Sequence, residues 1–386
     1  MSLELARGFD QAEFLGRLTR AQTRMKQTGL DALLLTTEPE IYYYTGFLTQ
    51  FWESPTRPWF VIVPQSGKPI AVIPSIGAHL VGQTWLEDIR SWDAPDYEDD
   101  GIGLLCDTIR EATPRTGMIG LADGLESHLR MPLAAFDRLR AALGTRQITS
   151  DHDISRALRN IKSPAEIAKI TQAITIAGRA FDRVTEIAQI GRPLSDVFRA
   201  FQRLCLEEGS DQVRYLAGAA GQDGYGDVIS PATDAPLERG DVLMLDTGVT
   251  WDGYFCDYDR NFSLGPASAV TRDAHHRLRE ATDAGFGAAQ PGARISDIYR
   301  AMTAILFDAP LPKTGRLGHG LGMQLTEGPS IIASDHTILK PGMVLTLEPW
   351  VPTVQGKLMV HEENIVIEPS GPRYLSNLRP PDISVI

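Results

Sequence analysis

Parts of this chain occur twice. The segment "GRPLSDVFRAF" from Gly191 matches "GARISDIYRAM" from Gly292, an offset of 292 − 191 = 101 that keeps Ser195/Ser296, Asp196/Asp297 and Arg199/Arg300 in register. Farther on, "LERGDVLMLD" matches "LKPGMVLTLE", which pairs Gly240 with Gly342 and Asp246 with Glu348, at 348 − 246 = 102. Two matches in the same order at nearly one offset point to two related halves, and related halves fold alike. This restricts the later part of the chain to an arrangement with approximate two-fold symmetry. Each half is expected to hold a capped amphipathic helix followed by a strand that ends in a carboxylate.

The repeat occupies only part of 386 residues, a length that usually exceeds one compact core. The earlier part reads as α/β. "GLDALLLTTEPEIYYYTGF" and "WFVIVPQSGKPIAVIPS" predict short buried strands, with amphipathic helices near 10–27 and 130–143. In "IKSPAEIAKITQAITIAGRAFDRVTEI", Ser163 can cap a helix, Pro164 suits its first position and Glu166 completes a capping box. A new helix and a new domain are expected to start there, dividing the chain into 1–155 and 156–386, an α+β protein overall. A net charge of −12 argues against a nucleic-acid partner, which draws on clustered Lys and Arg. No apolar run reaches the ~20 residues of a membrane span. The N-terminal "MSLELARGFDQAEFLGRL" lacks the pattern of a secretory signal. Three scattered cysteines, Cys106, Cys205 and Cys256, suit a reducing compartment, so the expected location is cytoplasmic.

The acids carry the chemistry. "DVLMLDTGVTWDGYFCDYDRNFSLG" reads as a strand closed by Asp246, a loop, and a returning strand containing Asp257. The second half supplies Glu348 from "MVLTLEPW" and Glu363 from "KLMVHEENIVIE". Folded alike around a two-fold axis, the halves bring four carboxylates to one spot, where a low dielectric does not hold them without cations. Oxygen ligands with one imidazole suit two divalent ions of the Mn, Co, Zn or Fe type. The imidazole is His319, in "RLGHGLGMQLTEGP", where Gly318, Gly320 and Gly322 are expected to leave room for the metals. Other acids read as structural. Asp259 shares a strand face with Asp257 but can pair with Arg260 or Arg57, Glu362 points away from the face of Glu363, and His275 and His276 read as solvated.

These residues resemble the creatinase, prolidase and aminopeptidase P group of "pita-bread" proteins. "IKSPAEI", "DTGVTWDGYFCDYDRNF", "GHGLG", "TLEP" and "EEN" match its motifs in order, over almost the whole chain. The resemblance implies a pita-bread C-terminal domain behind a ribonuclease-H-like N-terminal domain. It implies Asp246, Asp257, His319, Glu348 and Glu363 as ligands of a dinuclear centre. It also implies a homodimer in which one subunit's first domain roofs the other's site, with "QFWESPTRPW" at 50–59 as the candidate roof. Two departures stand out. Peptidases of the family carry a second histidine seven residues after the first, where this chain has Thr326, and another before the first metal strand, where "GDVISPATDAPLERGD" has none.

The expected activity is metal-assisted hydrolysis of an amide or imide C–N bond, most simply in a dipeptide or an N-terminal Xaa-Pro substrate. Glu348 would take the proton of the attacking water, and Glu327 or His361, the latter standing near the family's arginine position, would serve as general acid. The missing imidazoles leave two alternatives open: hydrolysis or elimination on a small non-peptide molecule of the compatible-solute type, and a binding protein that has lost catalysis.

Overall fold

The computed structural model describes residues 5–53, 57–308, 315–354, 356–378 and 380–386. Residues 54–56 of the candidate roof segment lie outside them. The chain forms two compact units, Met1–Arg159 and Asn160–Ile386. Among the described residues no helix is long and apolar enough to cross a membrane.

The first unit is built on a six-stranded mixed sheet. Its spatial order is Asp88–Trp92, Ile70–Pro74, Phe60–Pro64, Ala32–Leu35, Met118–Leu121 and Gln147–Ser150. Only the Phe60–Pro64 strand runs antiparallel to its neighbours. The central strands Ala32–Leu35 and Phe60–Pro64 are buried at every position, as strands covered on both faces must be. Leu34, Ile62 and Val72 pack there with Leu105, Ile109 and Leu139 from the helices Ile102–Ala112 and Leu133–Ala142. One strand expectation fails. "EPEIYYYT" forms the helix Glu38–Thr45, because Thr37 and Glu40 make a capping box and Pro39 stands in the first turn, and these local bonds override the β preference of three tyrosines.

The second unit opens on the helix Pro164–Asp182, with Ser163 as cap, Pro164 first and Glu166 closing the capping box. Its chain order then repeats. The helix pair Pro164–Asp182 and Leu194–Glu207 leads into a sheet of Gln212–Gln222, Asp241–Trp251, Tyr258–Ser263 and Ser384–Val385, with Tyr254–Phe255 at its side. The pair Ala269–Ala288 and Ile295–Leu306 leads into a second sheet ordered Glu327–Ser330, His319–Gly320, Val344–Leu347, Glu363–Glu368 and Gly371–Tyr374.

Backbone hydrogen bonds repeat with the sequence. Gly191 N donates to Leu237 O at 2.7 Å and Gly292 N to Leu339 O at 2.9 Å. Leu194 and Ser195 donate to Ala235 and Thr233, as Ile295 and Ser296 donate to Thr337 and Asp335. Gly191 and Gly292 sit at φ of 86° and 88°, and Gly240 and Gly342 at 93° and 92°, so the paired glycines share the left-handed turns that favour glycine. The two halves are one fold used twice.

Candidate metal centre

The first acid does not close its strand. Asp241–Trp251 runs on through "TGVTW" to a two-residue turn at Asp252 and Gly253, both at positive φ, so Asp246 lies mid-strand. The returning strand Tyr258–Ser263 pairs Asp246 with Asp259 and Thr247 with Tyr258, which leaves Asp257 just outside the pairing. Asn364 of the second half holds Asp257 in place: Asp257 N donates to Asn364 Oδ1 at 3.3 Å, and Asn364 Nδ2 donates to Asp257 O. Further bonds tie the halves together here. Asn261 Nδ2 donates to Val360 O at 2.7 Å, Val360 N to Tyr225 Oη at 2.8 Å, and Arg260 Nη1 to Glu362 O at 3.0 Å. The acids of both halves therefore face one buried volume.

His319 is oriented for ligation. Its Nδ1 lies 2.8 Å from Gly320 O, an acceptor only, so Nδ1 carries the proton and Nε2 offers its lone pair. Nε2 sits 3.4 Å from Asp257 Oδ2. Gly318 and Gly320 make room for neighbouring backbone. A Cβ at Gly318 would lie 2.3 Å from Thr346 O, and one at Gly320 2.3 Å from Gly328 O, so both are required for neighbouring strands to approach.

The structure groups Glu362, not the expected Glu363, with Asp257 and His319. Val344–Leu347 pairs with Glu363–Glu368 so that Leu347 opposes Glu363, and opposed residues share a face. Glu363 thus stands on the side of the core residue Leu347, and the alternation turns Glu362 toward the acids. Ligand atoms of Asp257, His319 and Glu362 lie within 4.8 Å of one another. Glu363, fully buried, instead accepts from Arg260 Nη2 at 3.0 Å and from Ser376 Oγ, with Arg279 3.7 Å away. The sequence rule of alternation held, but its phase was set by strand register, which no local pattern displays.

Two expected proton donors are also engaged elsewhere. Glu327 is buried and accepts from Lys162 Nζ at 3.1 Å and from Met323 N at 3.2 Å, so both its oxygens are committed to structure. His361 is buried, with Nε2 3.3 Å from Glu363 Oε1. Burial holds its pKa below the usual histidine range, against the pull of Glu363. His275 is likewise buried, not solvated, and burial brings its pKa down to about 3. His276 pairs with Asp382 at 3.1 Å near the surface.

Electrostatics separate the acids into two groups. Burial raises the carboxyls of Asp246, Asp257 and Glu362 well above their ordinary range, and their mutual repulsion adds to it. Glu348, less deeply buried, is raised as well, though His319 and Arg316 oppose the shift. Burial also pushes Glu363 up, yet Arg260, His361 and Ser376 together bring it down to about 2. Tyr215, unremarked in the sequence, stands on the neighbouring strand two residues before Ala217, the direct partner of Asp246, and burial together with the charges of Asp246 and Asp257 raises its pKa. Among the described residues Asp246 Oδ1 and Glu362 Oε1 are buried without a hydrogen-bond partner. Buried anions without donors fit a divalent cation, which supplies what the protein's own groups do not.

Residues 168–369, more than half of the chain, match Metallopeptidase family M24, and residues 17–161 match the Creatinase/Prolidase N-terminal domain. The chain belongs to metallopeptidase family M24. Its two halves form the pita-bread domain of that family, and it is an enzyme of the hydrolase class that uses divalent metal. The probable dipeptidase PepE of Mycobacterium tuberculosis is 28% identical over 367 residues, covering 94% of each chain. The Xaa-Pro dipeptidase of Pyrococcus horikoshii is 24% identical over 361 residues, covering 91% of this chain and 94% of that one. The crystal structure of dipeptidase PepE from Mycobacterium ulcerans superposes with a TM-score of 0.84 at 26% identity, covering 98% and 99% of the two chains.

Proposed function

We propose that this M24 enzyme is a dipeptidase that hydrolyses the C–N bond of short peptides, Xaa-Pro dipeptides among them, with two divalent ions held by Asp246, Asp257, His319, Glu348 and Glu362. The observation that carries the reading is the convergence of four acids from both halves, three of them deeply buried and with unpaired oxygens among them, around an imidazole whose Nε2 faces Asp257. The dipeptidase names of the PepE relatives support the substrate class. Ions held by these residues would supply Lewis-acid activation of water and of the scissile carbonyl. Glu348, the least buried of the four acids, would accept the water's proton. Asn364 and the Arg260 bond to Glu362 O fix the positions of Asp257 and Glu362 from behind. The homodimer implied by the resemblance belongs to the same proposal and is checked by sedimentation.

One observation favours a second reading, a small non-peptide substrate. Thr326, at the position of the family's second imidazole, accepts from Arg316 Nη2 at 3.1 Å, which puts a cation beside a hydroxyl where peptidases of the family hold a histidine. A panel of Xaa-Pro and other dipeptides with Mn(II)- or Co(II)-loaded enzyme separates the two. Turnover of a dipeptide supports the first; metal binding without turnover of any peptide supports the second.

A further inference from the structure

We propose that Asp259 is an additional anionic arm of the metal centre, the first-half counterpart of Glu362, and that it strengthens cation binding. The inference rests on the metal reading above and adds a residue to it.

Register carries the argument. Asp259 is the direct partner of Asp246 across the first sheet. In the second sheet Leu347 opposes Glu363, and the alignment continues past the strand end, since His361 N donates to Pro349 O at 3.1 Å. One residue on, Glu362 therefore stands against Glu348 as Asp259 stands against Asp246. Since Asp246 and Glu348 are themselves repeat partners, Asp259 occupies in the first half the place that Glu362 occupies in the second.

The surroundings of Asp259 agree. Its side chain is 1% exposed, and among the described residues neither carboxylate oxygen has a hydrogen-bond partner. The adjacent Arg260 is turned away: its guanidinium bonds Glu363 Oε2, the carbonyls of Glu362 and Asn377, and the backbone carbonyl of Asp259 itself. The nearest imidazole nitrogen, His361 Nδ1, is 4.0 Å from Oδ1, beyond hydrogen-bond length. A buried carboxylate is retained only where something offsets its desolvation. The centre thus presents Asp246, Asp257, Asp259, Glu348 and Glu362, one negative charge more than two divalent ions neutralise.

The test uses wild type, Asp259→Asn and Asp259→Ala as full-length protein, each stripped with chelator and titrated with Mn(II) and Co(II) by calorimetry, with elemental analysis and melting of the metal-free and loaded forms. The expected result is metal affinity weakened about 10–100-fold, a metal-free Tm raised above wild type because a repelled charge is gone, and a smaller rise in Tm on loading. Unchanged affinity and stoichiometry in both variants would overturn the inference. So would a metal-free Tm below wild type, or failure to fold, which marks an ordinary structural carboxylate. Wild type that binds neither ion would overturn the metal reading itself, an outcome distinct from wild-type binding that the variants share.

Discussion

Glu362 and Glu363 are consecutive and equally inaccessible, with 2% and 0% exposure, yet their surroundings are opposite. Behind the strand, Glu363 is held by Arg260, Ser376 and Arg279 and stays ionised far into acid. In front of it, Glu362 meets the like charges of Asp257, Glu348 and Asp246 instead of cations. Burial by itself does not distinguish a structural acid from a functional one. Compensation does: a carboxylate whose partners come from the protein stabilises the fold, and one whose partners must come from a bound cation destabilises it until that cation arrives.

The largest effect expected from breaking this contrast is on the front side. Asp257→Ala or His319→Ala should abolish both metal retention and hydrolysis, read by elemental analysis and by turnover of a dipeptide; either variant keeping a full complement of metal would contradict the assignment. Next comes the rear. Arg260→Met leaves Glu363 buried beside fewer cations, and the loss of one partner from such a pair costs about 3–5 kcal/mol, measurable by urea unfolding of the metal-free protein. Lys162→Met should behave alike, because it strips Glu327 of its ion pair, while leaving metal stoichiometry unchanged.

A subtler test compares signs. Glu362→Gln should raise the metal-free Tm and Glu363→Gln should lower it. The folded-state carboxyl of Glu362 lies above its unfolded value, so the folded state binds more protons and its stability falls as pH rises through that window. The Tm advantage of metal-free Glu362→Gln over wild type should therefore grow from about pH 5 to about pH 8. Glu363, at about 2 against an ordinary 4.5, behaves oppositely: its contribution is present above 4.5 and is lost as pH falls toward 2. The smallest effect lies at the surface, where His276→Ala removes an exposed pair with Asp382 and should change stability by no more than ~0.5 kcal/mol.

Several features were legible before any fold was known, each for a local reason. The capping box at Ser163 and Glu166 satisfies the first turn of its own helix, and the doubled segments from Gly191 and Gly292 share turn geometry that glycine favours. Asp246 and Glu348 stood out because the repeat placed acids in matching positions, Asp257 because a hairpin returns it beside Asp246, and His319 because it stands alone among glycines. The helix at Glu38–Thr45 was equally local, with its cap at Thr37, Pro39 and Glu40, but three tyrosines obscured it.

What the sequence by itself determined is the duplication, the acids it pairs and the imidazole between glycines, because these follow from residue type and spacing. Only the tertiary structure decided which of two adjacent glutamates faces the centre, why Glu327 is bound to Lys162, and that Asp259 is left without a partner. Each of these depends on strand register or on a contact from a distant segment, and a shift of one residue in pairing exchanges every inward side chain for an outward one.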